Sequence, residues 1–183
     1  MNSFSHKGNR KLTIAELERK SLEEFKDAKK LPLVLVLDSV RSLHNVGSVF
    51  RNADAFAVEK IYLCGISATP PHREINKTAL GATESVAWEY VEDTRTVIKK
   101  LKERNFDVYA LEQTAESTYL SDFNVKANKI ALIFGHEVKG VQQAVIDLCD
   151  GAIEIPQLGT KHSFNVSVSA GIAMWELYKK MKL

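Results

Sequence analysis

The sequence predicts an α/β protein, a mostly parallel sheet with helices on both faces. Three observations predict it. A continuous apolar run, Leu33-Val34-Leu35-Val36-Leu37, has the composition of a strand buried on both of its faces. Strand-like runs and helix-spaced patterns then alternate along the chain, the order that builds βαβ units. Three polar, glycine-bearing segments stand where strand-like runs give way to turns, the place where open α/β sheets collect their ligand-binding loops.

Residues 1–30 hold eight Lys or Arg, Lys7, Arg10 and Lys11 among them, against five acids, and read as a basic helical extension. Such an arm suits phosphate contact, because Lys and Arg replace condensed counterions; a solvated amphipathic helix is the other reading. The boundary falls near Leu31-Pro32, and residues 31–183, with a net charge of −1, form one domain whose first strand is the apolar run. A helix is expected over 46–56, with Asn45 as its N-cap. Further strands are expected over 60–64, 86–91, 107–111, 130–134 and 152–155, and helices over 94–104, 140–148 and 166–180. No internal repeat, low-complexity tract or interdomain linker interrupts them.

Several function classes are excluded by composition and spacing. No apolar stretch approaches a membrane span, and the charged start (His6, Lys7, Arg10, Lys11) lacks the apolar segment of a signal peptide, so a soluble, cytoplasmic protein is expected. Cys64 and Cys149 are isolated in apolar contexts and read as small buried thiols. In the Gly135 to Gly140 segment Lys139 precedes the second glycine and no Ser or Thr follows, which departs from a Walker phosphate loop. No G-x-G-x-x-G follows a strand. The five histidines form no i, i+4 pair and have no Cys partner, so no metal site is expected. Ser163 lacks a nucleophile-elbow context.

What remains is a site with few strong acids or bases and several glycines. Gly135, Gly140 and Gly159 would let main-chain groups approach a flat heterocycle walled by Leu111, Ile155 and Phe164, which suits an adenine-bearing cofactor. Glu137 and Asn165 each have two readings. The acid serves a site or favours a helix dipole, and the amide serves a site or caps the last helix. Arg51 is a permanent charge on an otherwise apolar helix beside the strand-end surface.

The three segments, Asn45-Val46-Gly47-Ser48-Val49-Phe50-Arg51, Gly135-His136-Glu137-Val138-Lys139-Gly140 and Ile155-Pro156 through Ser163-Phe164-Asn165-Val166, resemble the N-x-G-x-x-x-R, G-x-E-x-x-G and I-P-x-x-G-x-x-x-S-x-N-V motifs of the SpoU (TrmH-like) branch of the SPOUT RNA methyltransferases. The resemblance covers residues 33–178, and Lys77-Thr78-Ala79-Leu80-Gly81-Ala82 resembles a segment lying between the family's first two motifs. Phe164 stands where leucine is usual, which removes no functional group.

That resemblance implies an S-adenosylmethionine donor, a ribose 2′-hydroxyl acceptor in tRNA or rRNA, a homodimer and a carboxy-terminal trefoil knot. It assigns Leu111, Gly135, Ile155, Ser163 and Phe164 to the cofactor, and Asn45, Arg51, Glu137, Ser163 and Asn165 to catalysis or substrate ordering. It further implies that Arg51 serves a cofactor held mainly by the other subunit. A guanidinium stays protonated, so Arg51 suits stabilisation of the ribose alkoxide better than the role of base. An RNA-base methyltransferase and a non-catalytic RNA-binding module remain the alternatives. About thirty residues precede the first strand, which leans the expected acceptor towards tRNA.

Overall fold

The computed structural model describes residues 9–125 and 128–182; His6 and Lys7 lie outside the described residues. Its frame is a seven-stranded sheet in the order β3-β2-β1-β6-β4-β7-β5. The strands are β1 (Leu31–Asp38), β2 (Val58–Cys64), β3 (Trp88–Val91), β4 (Asp107–Leu111), β5 (Thr118–Tyr119), β6 (Ile130–Phe134) and β7 (Gly151–Glu154), every neighbouring pair parallel. Seven α-helices connect or flank them: α1 (Leu22–Asp27), α2 (Leu43–Ala55), α3 (Arg73–Ala79), α4 (Ala82–Ser85), α5 (Thr94–Glu103), α6 (Gln143–Ile146) and α7 (Val166–Lys182).

The apolar run reads without alternation because β1 lies mid-sheet. Leu35 is paired with Ile61 of β2 on one side and Leu132 of β6 on the other. Pleating sends Leu33, Leu35 and Leu37 into a core shared with α2, α3 and α7, and Val34 and Val36 into a second core shared with α5 and α6. The chain moves from β1 to β2 and β3 on one side, then returns through α5 to build β4, β6 and β7 on the other. That reversal puts a switch point between β1 and β6, and open α/β sheets bind ligands at the carboxyl ends near such a point.

Four expectations need correction. The described part of the amino-terminal arm, residues 9–30, is not one helix. It holds a 3₁₀ turn (Ala15–Leu17) and the six-residue α1, and residues 9–30 bury no side chain, so no packing supports a longer helix. Asn45 is not the cap of α2: the helix begins at Leu43, and the Ser42 hydroxyl accepts the Asn45 N–H at 3.3 Å. The expected helix over 140–148 shrinks to α6, because Gly140 sits in a left-handed turn (φ 66°) bridged to His136. The strand expected from 86 starts at Trp88, since Val86 closes α4. α3, α4 and the edge strand β5 had no signal in the pattern, being short and mostly polar; α3 buries only Ile75 and Ala79.

Candidate functional site

A cleft of about 670 Å³ opens over the carboxyl ends of β4, β6 and β7. Leu111, Gly135, Ile155, Ser163 and Phe164 all line it, as do Glu137 and Asn165. The loop after β6 can fold over the sheet because Gly135 has no side chain. A Cβ there would come within 3.0 Å of the Gly140 carbonyl and the Val141 nitrogen. Gly140 has a positive φ that disfavours any side chain and sits against the Glu112 carboxylate. Gly159, by contrast, faces open space, and its loop carries the exposed Leu158.

Glu112 and Gln113 are among the lining residues that the sequence did not single out. The Glu112 carboxylate accepts the N–H of Val141 at 2.9 Å and that of Gln113 at 2.9 Å, fixing the β6 loop to the end of β4. The Gln113 amide donates to the His162 carbonyl at 2.9 Å, tying the β7 loop to the same place. Their partners lie 29 and 49 residues away, and neither spacing carries a local signal.

At one edge of the cleft the three motifs meet through side chains. The Asn165 amide donates to the Asn45 carbonyl oxygen at 3.0 Å, and the Asn45 amide donates to Glu137 at 3.4 Å. Glu137 also accepts the N–H of Ser42, the cap of α2, at 2.9 Å and of Arg41 just before it at 3.2 Å. It therefore complements a helix dipole, though of α2 and not of its own loop. Asn165 combines both of its readings. Its carbonyl oxygen accepts the Ser167 N–H at 2.9 Å and hydroxyl at 2.7 Å at the start of α7, while its amide reaches the neighbouring motif.

Partial burial pushes the Glu137 carboxyl upward, but the N–H groups of Ser42, of Glu137 itself and of Arg41, with the Asn45 amide, outweigh that and hold it below the usual range. A carboxyl depressed in the folded chain adds stability above its unfolded value and loses it as pH falls through its folded value. The melting-temperature gap between wild type and Glu137→Gln should thus be widest near neutral pH and close below about pH 4. A gap independent of pH would mean that the shape of Glu137, and not its charge, matters.

Arg51 stands apart. It is exposed, outside the cleft lining, and six residues beyond Asn45, which turns it about 120° away around α2. Gly47, between the two, has a packing role: a Cβ there would strike Thr78 and the Ile75 carbonyl, so α2 and α3 cross closely. Thr78 seals that crossing by donating to the His44 carbonyl at 3.1 Å.

Burial raises the Cys64 thiol to about 12 and that of Cys149 to about 11, so neither supplies a thiolate at neutral pH. Among the described residues no three His, Cys, Asp or Glu side chains cluster to hold a metal, and no helix is long and apolar enough to cross a membrane.

The model of the SpoU rRNA Methylase family matches residues 32–175. A Staphylococcus aureus protein named for the TrmH family of tRNA/rRNA methyltransferases is 32% identical over 160 residues, covering 87% of this chain and 63% of the relative. The chain thus spans under two thirds of that relative's length. A 23S rRNA (guanosine-2′-O-)-methyltransferase of Vibrio cholerae is 29% identical over 165 residues, covering 90% of this chain and 66% of that protein. The solved S-adenosylmethionine-bound rRNA methyltransferase of Sinorhizobium meliloti shares the fold, with a TM-score of 0.77 at 24% identity over 87% of this chain and 60% of that one. With the family model spanning all three motifs and every strand of the sheet, this chain belongs to the SpoU rRNA methylase family.

Proposed function

We propose that the protein transfers a methyl group from S-adenosylmethionine to a ribose 2′-hydroxyl of tRNA or rRNA. The observation that carries the reading is the Asn165–Asn45–Glu137 relay, which joins all three motifs at the rim of a cleft suited to the donor.

The cleft fits that donor chemically. Gly135 lets the loop after β6 fold close against the sheet at the cleft, Leu111, Ile155 and Phe164 offer apolar walls, and Glu112 and Glu137 bring carboxylates towards a cationic ligand. When bound, S-adenosylmethionine supplies an electrophilic methyl group on a positively charged sulfur. The chain's own task is to align the acceptor, relieve it of its proton and stabilise the negative charge that grows on the ribose oxygen. Asn45 and Asn165, each held by the other, present polar edges to a ribose. Arg51 is the cation for the oxygen. Glu137 is already engaged by two N–H groups and an amide, which makes it a weak proton acceptor and favours ribose over a ring nitrogen.

Because Arg51 lies outside its own chain's cleft, the reading includes a homodimer in which it completes the partner's site. An exposed apolar stripe on α7, Val168, Ile172 and Trp175, supports this, since Trp175 packs against Phe56 just beyond α2. The carboxy-terminal trefoil knot, a cytoplasmic location and an RNA-contacting role for the arm 1–30 belong to the same proposal.

Calorimetry should show S-adenosylmethionine and its demethylated product binding while ATP and NAD do not. Methyl transfer to unfractionated tRNA or rRNA should then yield a 2′-O-methylnucleoside on nucleoside mass spectrometry. Tight NAD binding without response to the sulfonium compound would overturn the cofactor, and a base-methylated nucleoside would overturn the acceptor.

A further inference from the structure

α3 ends in a way that its own chain does not explain. Its C-terminal turn is closed by Leu80 in the left-handed region (φ 49°, ψ 44°), with the Leu80 N–H donating to the Asn76 carbonyl. Glycine is the residue that takes this position without steric cost, and leucine crowds its Cβ against the backbone there. Burial of the side chain would offset that cost, yet Leu80 is 66% exposed. Gly81 follows at φ 88°, and its Cα faces open space.

The place of this corner is set by α2. Gly47, Arg51 and Asp54 share one stripe of that helix. Gly47 abuts α3, and Asp54 accepts the Ser85 hydroxyl at the end of α4. Arg51 therefore lies level with the Leu80–Gly81 junction between those two helices. Along α3, Arg73 and Lys77 lie one turn apart, Leu80 follows as the cap, and all three are exposed. The surface carries Arg41, Arg51, Arg73 and Lys77, the last bridging Glu74 at 2.7 Å, against Glu74, Glu84 and Asp54, a small excess of positive charge suited to a polyanion.

We propose that Arg73, Lys77 and Leu80 form an RNA-docking edge beside Arg51, the two cations meeting phosphates and the leucine packing on a base of the acceptor strand. The left-handed corner holds an apolar side chain out in water until a base covers it. This deepens the methyltransferase reading and rests on it.

Leu80→Gly separates the roles, because glycine relieves the backbone while removing the side chain. In the full chain its melting temperature should hold or rise by roughly 2 °C. Molecular mass in solution and affinity for S-adenosylmethionine should be unchanged, while KM for unfractionated tRNA or rRNA rises roughly tenfold. Arg73→Glu should weaken RNA binding and lower the slope of log affinity against log salt by about one. A Leu80→Gly enzyme with wild-type KM would show the leucine idle and overturn the proposal. Loss of assembly mass with a lowered melting temperature would overturn it differently, by making the edge a contact between copies. If wild-type protein holds S-adenosylmethionine but neither binds nor methylates RNA, the methyltransferase reading itself fails and the edge falls with it.

Discussion

Arg51→Lys should fold and bind S-adenosylmethionine normally, yet transfer methyl groups to RNA roughly a hundredfold or more slowly, the scale of removing a transition-state donor. The substitution keeps the charge and changes its shape. A guanidinium presents several donors in a fixed plane, whereas an ammonium is a strongly hydrated point charge on a flexible stem. Arg51 is exposed and forms no part of either core, so the change should leave stability within about half a kcal/mol of wild type. Single-turnover transfer with labelled cofactor separates the chemical step from RNA binding. A near-normal rate would make Arg51 a simple phosphate contact and would remove the alkoxide role, whatever the cofactor measurements show.

Gly135→Ala should have the larger effect on the cleft itself. The added Cβ meets main-chain atoms of Gly140 and Val141, which cannot rotate aside as a side chain would. The loop 135–141 must lift from β4, breaking the Val141 bond to Glu112. Overpacking of this kind costs about 3 kcal/mol, or roughly 8 °C in melting temperature for a chain of this size. Cofactor binding should fall below detection by calorimetry even where the sheet survives, as far-ultraviolet circular dichroism would report. A Gly135→Ala protein that binds S-adenosylmethionine at wild-type affinity would mean that the loop is not part of the cofactor site.

The sheet was legible because its signal is local. Five consecutive apolar residues in β1 and the strand-helix alternation after it are visible in any short window. The short helices α3 and α4 were not, because they are fixed by Gly47 and Asp54 on a neighbouring helix and not by their own periodicity. The motifs could be listed from the sequence, but not how they touch. Asn45 looked like a cap and is instead the middle member of a relay, with Ser42 as the cap. Glu137 could be given to a helix dipole only in general terms, since the cap residue it binds, Ser42, lies 95 residues earlier in the chain. Glu112 and Gln113 were invisible for the same reason: their task is to hold loops that reach them only after the sheet has closed.

The relay also ties the site to the order in which the chain can fold. Asn45 meets Glu137 across 92 residues and Asn165 across 120. One of the two strands beside β1 is β6, so that central pairing waits for more than half the chain. Parallel pairings of such separation carry a large loop-closure cost and fold slowly. Unless the last motif arrives, the relay stays incomplete, lacking the Asn165 amide. A ligand of the finished cleft therefore binds only the fully closed state, and adds to its stability in proportion to the logarithm of its own concentration. Cellular cofactor supply would then govern how long this protein survives as well as how fast it works.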